Sequence, residues 1–328
     1  MKFKKLLTTF MTLAMVGTMA GCAKTKTEEV KETKKLSFGA MSSIDIVPIV
    51  IAKEKGYFEE EGLELDFQLF TAAKDRDAAL QAGELDGVIA DEIAISIYQN
   101  SGIDMKITGA TNGAWTLVVG KDSGIENLED LKGKKMAISE NTMIDYLSDY
   151  IAEENGVNSS EIEKIAIPAM PARLEALRNK QVDAAILPAP FNDTAVADGG
   201  KGLADIDNAD IMISAIGFLQ DQIDNNEEAI KAFFTGYNKA VEYMKNTDIK
   251  EYEDIVIKTV GYSEDTKGNL ILPELNTNYL PDAEKVQAVF DWSKNNGIID
   301  KDLKAEDVII DKGIIIVLLI VGISSLFY

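Results

Sequence analysis

The chain contains no histidine. That absence excludes His-based catalytic triads, histidine general bases and the commonest zinc sites. Cysteine is nearly missing too. Cys22 is the only one in 328 residues, so no internal disulfide can form. Arginine is scarce, with three residues against 30 lysines. Positive charge is in deficit: the formal net charge is −22. Such acidity argues against nucleic acid as a partner and against a polybasic hold on anionic lipid. No cofactor motif or metal-ligand cluster emerges, and none is expected.

What is present is a phrase written twice, 97 residues apart. Residues 79–90 read ALQAGELDGVIA and residues 176–187 read ALRNKQVDAAIL. Each is the end of a helix, a polar turn, an apolar residue, an Asp and a short apolar strand. Leu80 matches Leu177, Leu85 matches Val182, Asp86 matches Asp183 and Ile89 matches Ile186. A buried strand after a helix is the unit of a parallel α/β sheet. Two such units at long spacing imply two similar lobes, and the cleft between lobes is where a small molecule binds. Asp86 and Asp183 precede their strands, so a turn role is favoured over binding.

The N-terminus reads as an export signal. Lys2, Lys4 and Lys5 precede an apolar run from Leu6 to Met19, followed by Ala20, Gly21 and Cys22. Met19-Ala20-Gly21-Cys22 resembles the bacterial lipoprotein cleavage box, in which the Cys becomes the lipid-modified first residue. This implies a signal peptide over 1–21, lipidation of Cys22 and attachment to the extracytoplasmic face of the cell membrane. Loss of the leader would leave a chain near −25. Residues 22–35, rich in Lys, Thr and Glu, cannot bury apolar surface and read as a flexible tether.

Strand and helix signals alternate from Leu36 onward, which argues for a mainly parallel sheet covered by helices. The order restarts after Lys121. Ile211–Leu219 is a long apolar strand able to carry the chain back to the first lobe. The expected layout is lobe one from 36–115 and 217–310, lobe two from 116–216, and two crossover strands as a hinge.

Three phrases bear a resemblance to a known family. They are Gly56-Tyr57-Phe58-Glu59-Glu60-Glu61-Gly62-Leu63-Glu64-Leu65, Ile125 to Gly133, and Pro171 to Leu177 running on to Val182 to Pro188. In order and spacing they resemble the substrate-binding proteins of ABC importers for nitrate, taurine or sulfonate, and thiamine pyrimidines. The resemblance covers about 36–310. It implies an α/β, two-lobed type II periplasmic-binding-protein fold and a ligand gripped by hinge closure. It implies no enzymatic step, and delivery of the solute to a transmembrane permease powered by an ATPase.

In doubly wound sheets ligands sit beyond the carboxyl ends of the strands. That rule selects Ser42, Ser43 and Asp45, Thr71, and Asp91 and Glu92 in lobe one. In lobe two it selects Asn141 and Thr142, then Pro190 and Phe191. Asn112 and Trp115 lie beside the first crossover. Several have plainer roles open to them. Ser42, Ser43, Asn141 and Thr142 suit helix capping, Asp91 and Glu92 suit a helix first turn, and Trp115 suits a core. Arg173 is expected to brace its lobe from within a helix. The acids in the candidate loops favour a neutral or cationic, pyrimidine-like nitrogen compound, with sulfonate, taurine or nitrate as the alternative.

The last residues, 311–328, include 16 without charge, Gly313 to Tyr328. This is slightly short of the ~20 needed to span a bilayer. A short membrane segment and a truncated fusion are both open, with a buried strand least favoured. Two rival functions remain. A pyrimidine-precursor synthase on the same fold is disfavoured by the absence of histidine. A solute sensor without transport would lack a permease and ATPase encoded alongside.

Overall fold

The computed structural model describes residues 33–207 and 214–311. The leader with Cys22, most of the tether, part of the second crossover and the apolar C-terminal run lie outside the described residues.

In chain order the strands are β1 (Lys34–Met41), β2 (Leu63–Phe70), β3 (Gly87–Ala90), β4 (Met105–Ala110), β5 (Ala114–Val119), β6 (Lys135–Ile138), β7 (Glu163–Ala166), β8 (Ala184–Pro188), β9 (Lys201–Asp207) and β10 (Ala215–Leu219). They form two five-stranded sheets, ordered β2-β1-β3-β10-β4 and β7-β6-β8-β5-β9. β1 runs parallel to β2 and β3, and β6 parallel to β7 and β8. β10 and β5 run antiparallel to their neighbours, as strands that return across a sheet.

The helices are α1 (Val47–Glu54), α2 (Tyr57–Glu60), α3 (Ala73–Gln81), α4 (Glu92–Ser101), α5 (Met143–Glu154), α6 (Met170–Arg178) and α7 (Phe191–Ala197). After β10 come α8 (Gln220–Asn225), α9 (Glu227–Lys245), α10 (Glu253–Val256), α11 (Ala283–Asn295) and α12 (Ala305–Val308). The chain passes between sheets at Thr111–Gly113 and again between β9 and β10. The two passages touch, since the Thr111 amide donates to the Ser214 carbonyl at 3.2 Å.

The repeated Asp explains why both sheets assemble alike. Asp86 accepts from the Ser37 amide through Oδ2 at 2.7 Å, and its own amide donates back to the Ser37 carbonyl at 2.8 Å. Asp183 does the same with Lys135, at 2.9 and 2.8 Å. Each Asp carbonyl also receives an amide from a third strand region, Leu219 for Asp86 and Gly120 for Asp183. The side chain thus pins the neighbouring parallel strand just ahead of its pairing with β3 or β8, through an amide that would otherwise lack a partner. Asp86→Ala should cost about 1–2 kcal/mol, because a hydrogen bond to a charged acceptor is lost at a half-buried position. Urea unfolding would measure it, and an unchanged midpoint would refute the strand-fixing role.

Lobe one packs β1 and β10 under α1 and α9. Phe38, Phe58, Phe218, Phe233 and Phe234 are all fully buried there. Lobe two packs β5, β6 and β8 against α5 through Leu117, Met136, Ile138, Leu147 and Ile186. That second cluster also includes Ile93 of α4 and Val289 of α11. Apolar packing is therefore continuous across the two lobes.

β9 carries no strand signal in the sequence, because Lys201–Asp207 mixes charges and glycine and holds its place as an antiparallel partner of β5. Beyond α9, α10 leads directly into a π-helical turn, Ile257–Gly261.

Candidate functional site

A cavity of about 80 Å³ lies where the strand ends of both lobes meet. The end of β1 supplies Met41, Ser43 and Asp45, the end of β3 supplies Ile89, Ala90 and Asp91, and α3 supplies Arg76. From the other side come Trp115 at the start of β5, Ile144 of α5, Met170 and Arg173 of α6, and Pro188 at the end of β8. Ser214 enters from the second crossover. Larger depressions exist elsewhere. One of about 240 Å³ lies between α6, α7 and the end of β5, and one of about 430 Å³ lies beside the end of α9. Neither joins both sheets or holds buried charges, so the interlobe cavity is the candidate site.

The two arginines occupy equivalent places. Arg76 and Arg173 are themselves 97 residues apart, three residues before the repeated Ala-Leu. Both are nearly inaccessible, at 3% and 2% exposure. Their surroundings differ. Asp77 follows Arg76 and holds its guanidinium through Nε and Nη2, at 2.9 and 2.8 Å. Burial opposes the Arg76 charge, but Tyr98, Asp77 and Asp91 outweigh burial and hold its pKa above the usual arginine value. Leu174 follows Arg173 instead. The Arg173 Nη1 donates to the Ile167 and Pro168 carbonyls at 3.1 and 3.0 Å, while Nε finds no acceptor. No ion pair to Arg173 exists among the described residues, and desolvation alone pulls its pKa down to about 10. Lobe two therefore offers the cavity an uncompensated cation.

The acids are already engaged. Asp45 sits in a single 3₁₀ turn, Ile44–Ile46, and is buried. Burial pushes its pKa up, and hydrogen bonds from Ser43 and Ser214 pull it back. Ser214 Oγ donates to Asp45 at 3.0 Å. The Asp45 carbonyl accepts from Thr111, whose hydroxyl accepts from Tyr237 of α9, each at 3.1 Å. Asp91 is the N-cap of α4 and accepts from the Ala94 amide at 2.8 Å. Burial raises its pKa, while Arg76 and the Ala94 and Met143 amides oppose that rise. Met143 opens α5, so this one carboxylate serves helix N-termini in both lobes.

Of the residues expected at the site, Ser43, Asp45, Asp91 and Trp115 line the cavity. The others do not. Ser42 turns to the Thr259 carbonyl at 3.5 Å, and Thr71 is exposed. Glu92 is buried off the cavity wall. Asn112 accepts from Asn276 at 3.4 Å beside the crossover. Asn141 is exposed with φ +56°, and Thr142 caps α5 through the Ile144 amide at 3.2 Å. Pro190 follows a cis peptide bond and caps α7, and Phe191 packs within lobe two. Arg76, Arg173 and Ser214 were missed. The arginines carried a readable signal, since two of only three in the chain fall at the repeat spacing. Ser214 carried none.

A sequence family described as NMT1/THI5 like matches residues 43–248. The chain belongs to this family. One relative, a Bacillus subtilis (strain 168) protein named for binding aliphatic sulfonates, is 24% identical over 316 residues, covering 90% of this chain and 92% of its own. A Brachyspira hyodysenteriae (strain ATCC 49526 / WA1) protein, named as an ABC transporter periplasmic binding protein, is 22% identical and covers 74% and 75%. Among solved structures, the periplasmic aliphatic sulphonate binding protein SsuA from Escherichia coli superposes with a TM-score of 0.72. It is 19% identical over 84% of this chain and 97% of its own. The fold is the two-lobed type II periplasmic-binding architecture. A desulfurization enzyme, DSZB, shares it at a TM-score of 0.59 and 13% identity, over 84% and 96%. The Bacillus and Brachyspira relatives, in contrast, are both named as binding proteins. Among the described residues no helix is long and apolar enough to cross a membrane, and no acidic or Cys cluster suits a metal ion.

Proposed function

We propose that this protein is the extracytoplasmic solute-binding component of an ABC importer, taking a small organic sulfonate into the interlobe cavity. The observation that carries the reading is Arg173. It is a buried guanidinium with no ion pair among the described residues and one N–H without an acceptor. A sulfonate supplies the missing charge and several acceptor oxygens, and arginine suits such planar, multidentate recognition. Asp45 and Asp91 stand on the lobe-one side of the same cavity. The sulfonate-binding name of the Bacillus relative supports the same class.

The pyrimidine-like expectation gives way. It counted acids in the loops without asking which were already hydrogen-bonded. A neutral pyrimidine would leave the Arg173 charge buried and unanswered, at a cost of several kcal/mol. The remaining parts of the reading come from the sequence: export by the 1–21 leader, anchoring through lipid on Cys22, and delivery to a permease and its ATPase.

Isothermal titration of the purified protein with taurine, a short alkanesulfonate, nitrate and an aminopyrimidine tests the ligand class. Micromolar or tighter binding of a sulfonate, with no heat from the pyrimidine, is expected. Binding of the pyrimidine with no response to either sulfonate would overturn the reading.

A further inference from the structure

We propose that closure of the two lobes is proton-coupled through Glu92, whose carboxylate is sealed into the interlobe seam. Glu92 is the first residue of α4 and is completely inaccessible. Neither carboxylate oxygen has a hydrogen-bond partner in another residue. A buried carboxylate left so is costly when ionised and tolerable when protonated.

The seam around it joins both lobes. Ile93 and Ile97 of α4, with Val289 and Trp292 of α11, pack with the lobe-two cluster that includes Met143, Ile144 and Leu147 of α5. Tyr146 of α5 meets Trp292 edge-on at 5.4 Å and 85°. Glu92 projects between its two helix neighbours, Asp91 on the interlobe cavity wall and Ile93 in the lobe-two cluster, which places it in the seam. Separation of the lobes would therefore return Glu92 to water.

The neighbouring charges do not supply a counter-ion. Asp91, the adjacent N-cap, is an acid and disfavours a second negative charge. On α5, Asp145 and Asp149 are both held by Lys164 at 2.6 Å, and Tyr146 is the neighbouring titratable group. On α3, Arg76 is committed to Asp77. From α11 the buried residues are Val286, Val289, Phe290 and Ser293. With the seam closed, burial first and then Asp91 push the Glu92 pKa up to about 8, from an ordinary 4.5.

The sign follows. The closed form binds the proton more tightly than the open form. Closure is most favoured below the ordinary value and weakens as pH rises toward the closed-state value. The closed-to-open ratio should fall by up to about tenfold per pH unit inside that window and level off above it. Solute captured at mildly acid pH would thus be held more firmly than at alkaline pH.

The inference rests on the lobe closure of the proposed function but on no particular solute. The experiment therefore omits solute: solution scattering of the purified protein and of Glu92→Gln, from pH 5 to 9. The wild type should expand as pH rises while the Gln variant keeps one dimension. A wild type that does not change, or a Gln variant that expands with it, overturns the proposal. Should the variant fail to fold, the carboxyl-carbon NMR titration of wild-type Glu92 decides. A midpoint near 8 supports the proposal, and one in the ordinary glutamate range overturns it. Failure to bind sulfonates would leave these readouts untouched, so the two readings fail separately.

Discussion

Replacing Arg173 with Met should weaken sulfonate binding by at least an order of magnitude while leaving the fold intact or firmer. The guanidinium is buried with two backbone carbonyls as partners and no ion pair among the described residues. A lone buried charge opposes folding, and an apolar side chain of similar volume removes that opposition. In the complex the balance reverses, because the sulfonate would lose the uncompensated cation of lobe two. Loss of one partner of a desolvated charge pair costs about 2–5 kcal/mol, roughly 30- to 4,000-fold in Kd. Arg173→Lys should recover only part of this, since an ammonium cannot reproduce the planar fork. Titration calorimetry and thermal unfolding must be read together. Weaker binding with an unchanged or higher Tm fits the ligand role. A lower Tm with unchanged affinity would return Arg173 to the bracing role expected from the sequence.

Arg76 is the internal control for that argument. It has the same position in the other copy of the repeat, the same burial and the same helix context. It differs by the residue that follows. Asp77 neutralises Arg76, whereas Leu174 cannot neutralise Arg173. One sequence step thus decides which lobe presents net charge to the cavity. That step was legible in the chain, but its meaning needed burial. On an exposed helix, Arg-Leu and Arg-Asp would be equally unremarkable.

The lobes themselves were legible because their signals are local. Helix, turn, Asp and apolar strand lie within a dozen residues, and both Asp copies, expected as turn residues, also bind the backbone of a neighbouring strand. The site was legible only in part because its partners are distant. Asp45 is held by Ser214, 169 residues away, and its turn is tied to Thr111, 66 residues away. No spacing rule reports such contacts. Loop acids such as Asp45 and Asp91 looked available for a cationic ligand, although their acceptors were already engaged by the protein. Glu92 shows the converse. It was placed in the cleft by its position after β3, yet it is fully buried one step along the helix from Asp91 and off the cavity wall.

Phe233→Ala should be the most destabilising single truncation in lobe one, and its effect should reach the site. The Phe233 ring lies 4.7 Å from Phe38, 5.4 Å from Phe218 and 5.7 Å from Phe58, centroid to centroid. It therefore joins β1, β10 and α2 to α9 at one point. Each aromatic pair adds about 0.5–1.5 kcal/mol beyond burial, and Phe→Ala in a packed core costs about 3–5 kcal/mol. For a body of this size that loss corresponds to roughly 10 °C in Tm. One turn further along α9, Tyr237 donates to Thr111, which supports the Asp45 carbonyl at the cavity wall. A cavity opened at Phe233 lets α9 shift, and that shift loosens the chain from Tyr237 to Asp45. Sulfonate affinity should then fall as well, but by far less than for Arg173→Met, because no contact with the solute is removed. Chemical denaturation paired with titration calorimetry checks both halves. A destabilisation under about 1 kcal/mol would show that the aromatic cluster repacks around the loss. An affinity loss as large as that of Arg173→Met would show that α9, rather than the guanidinium, controls capture.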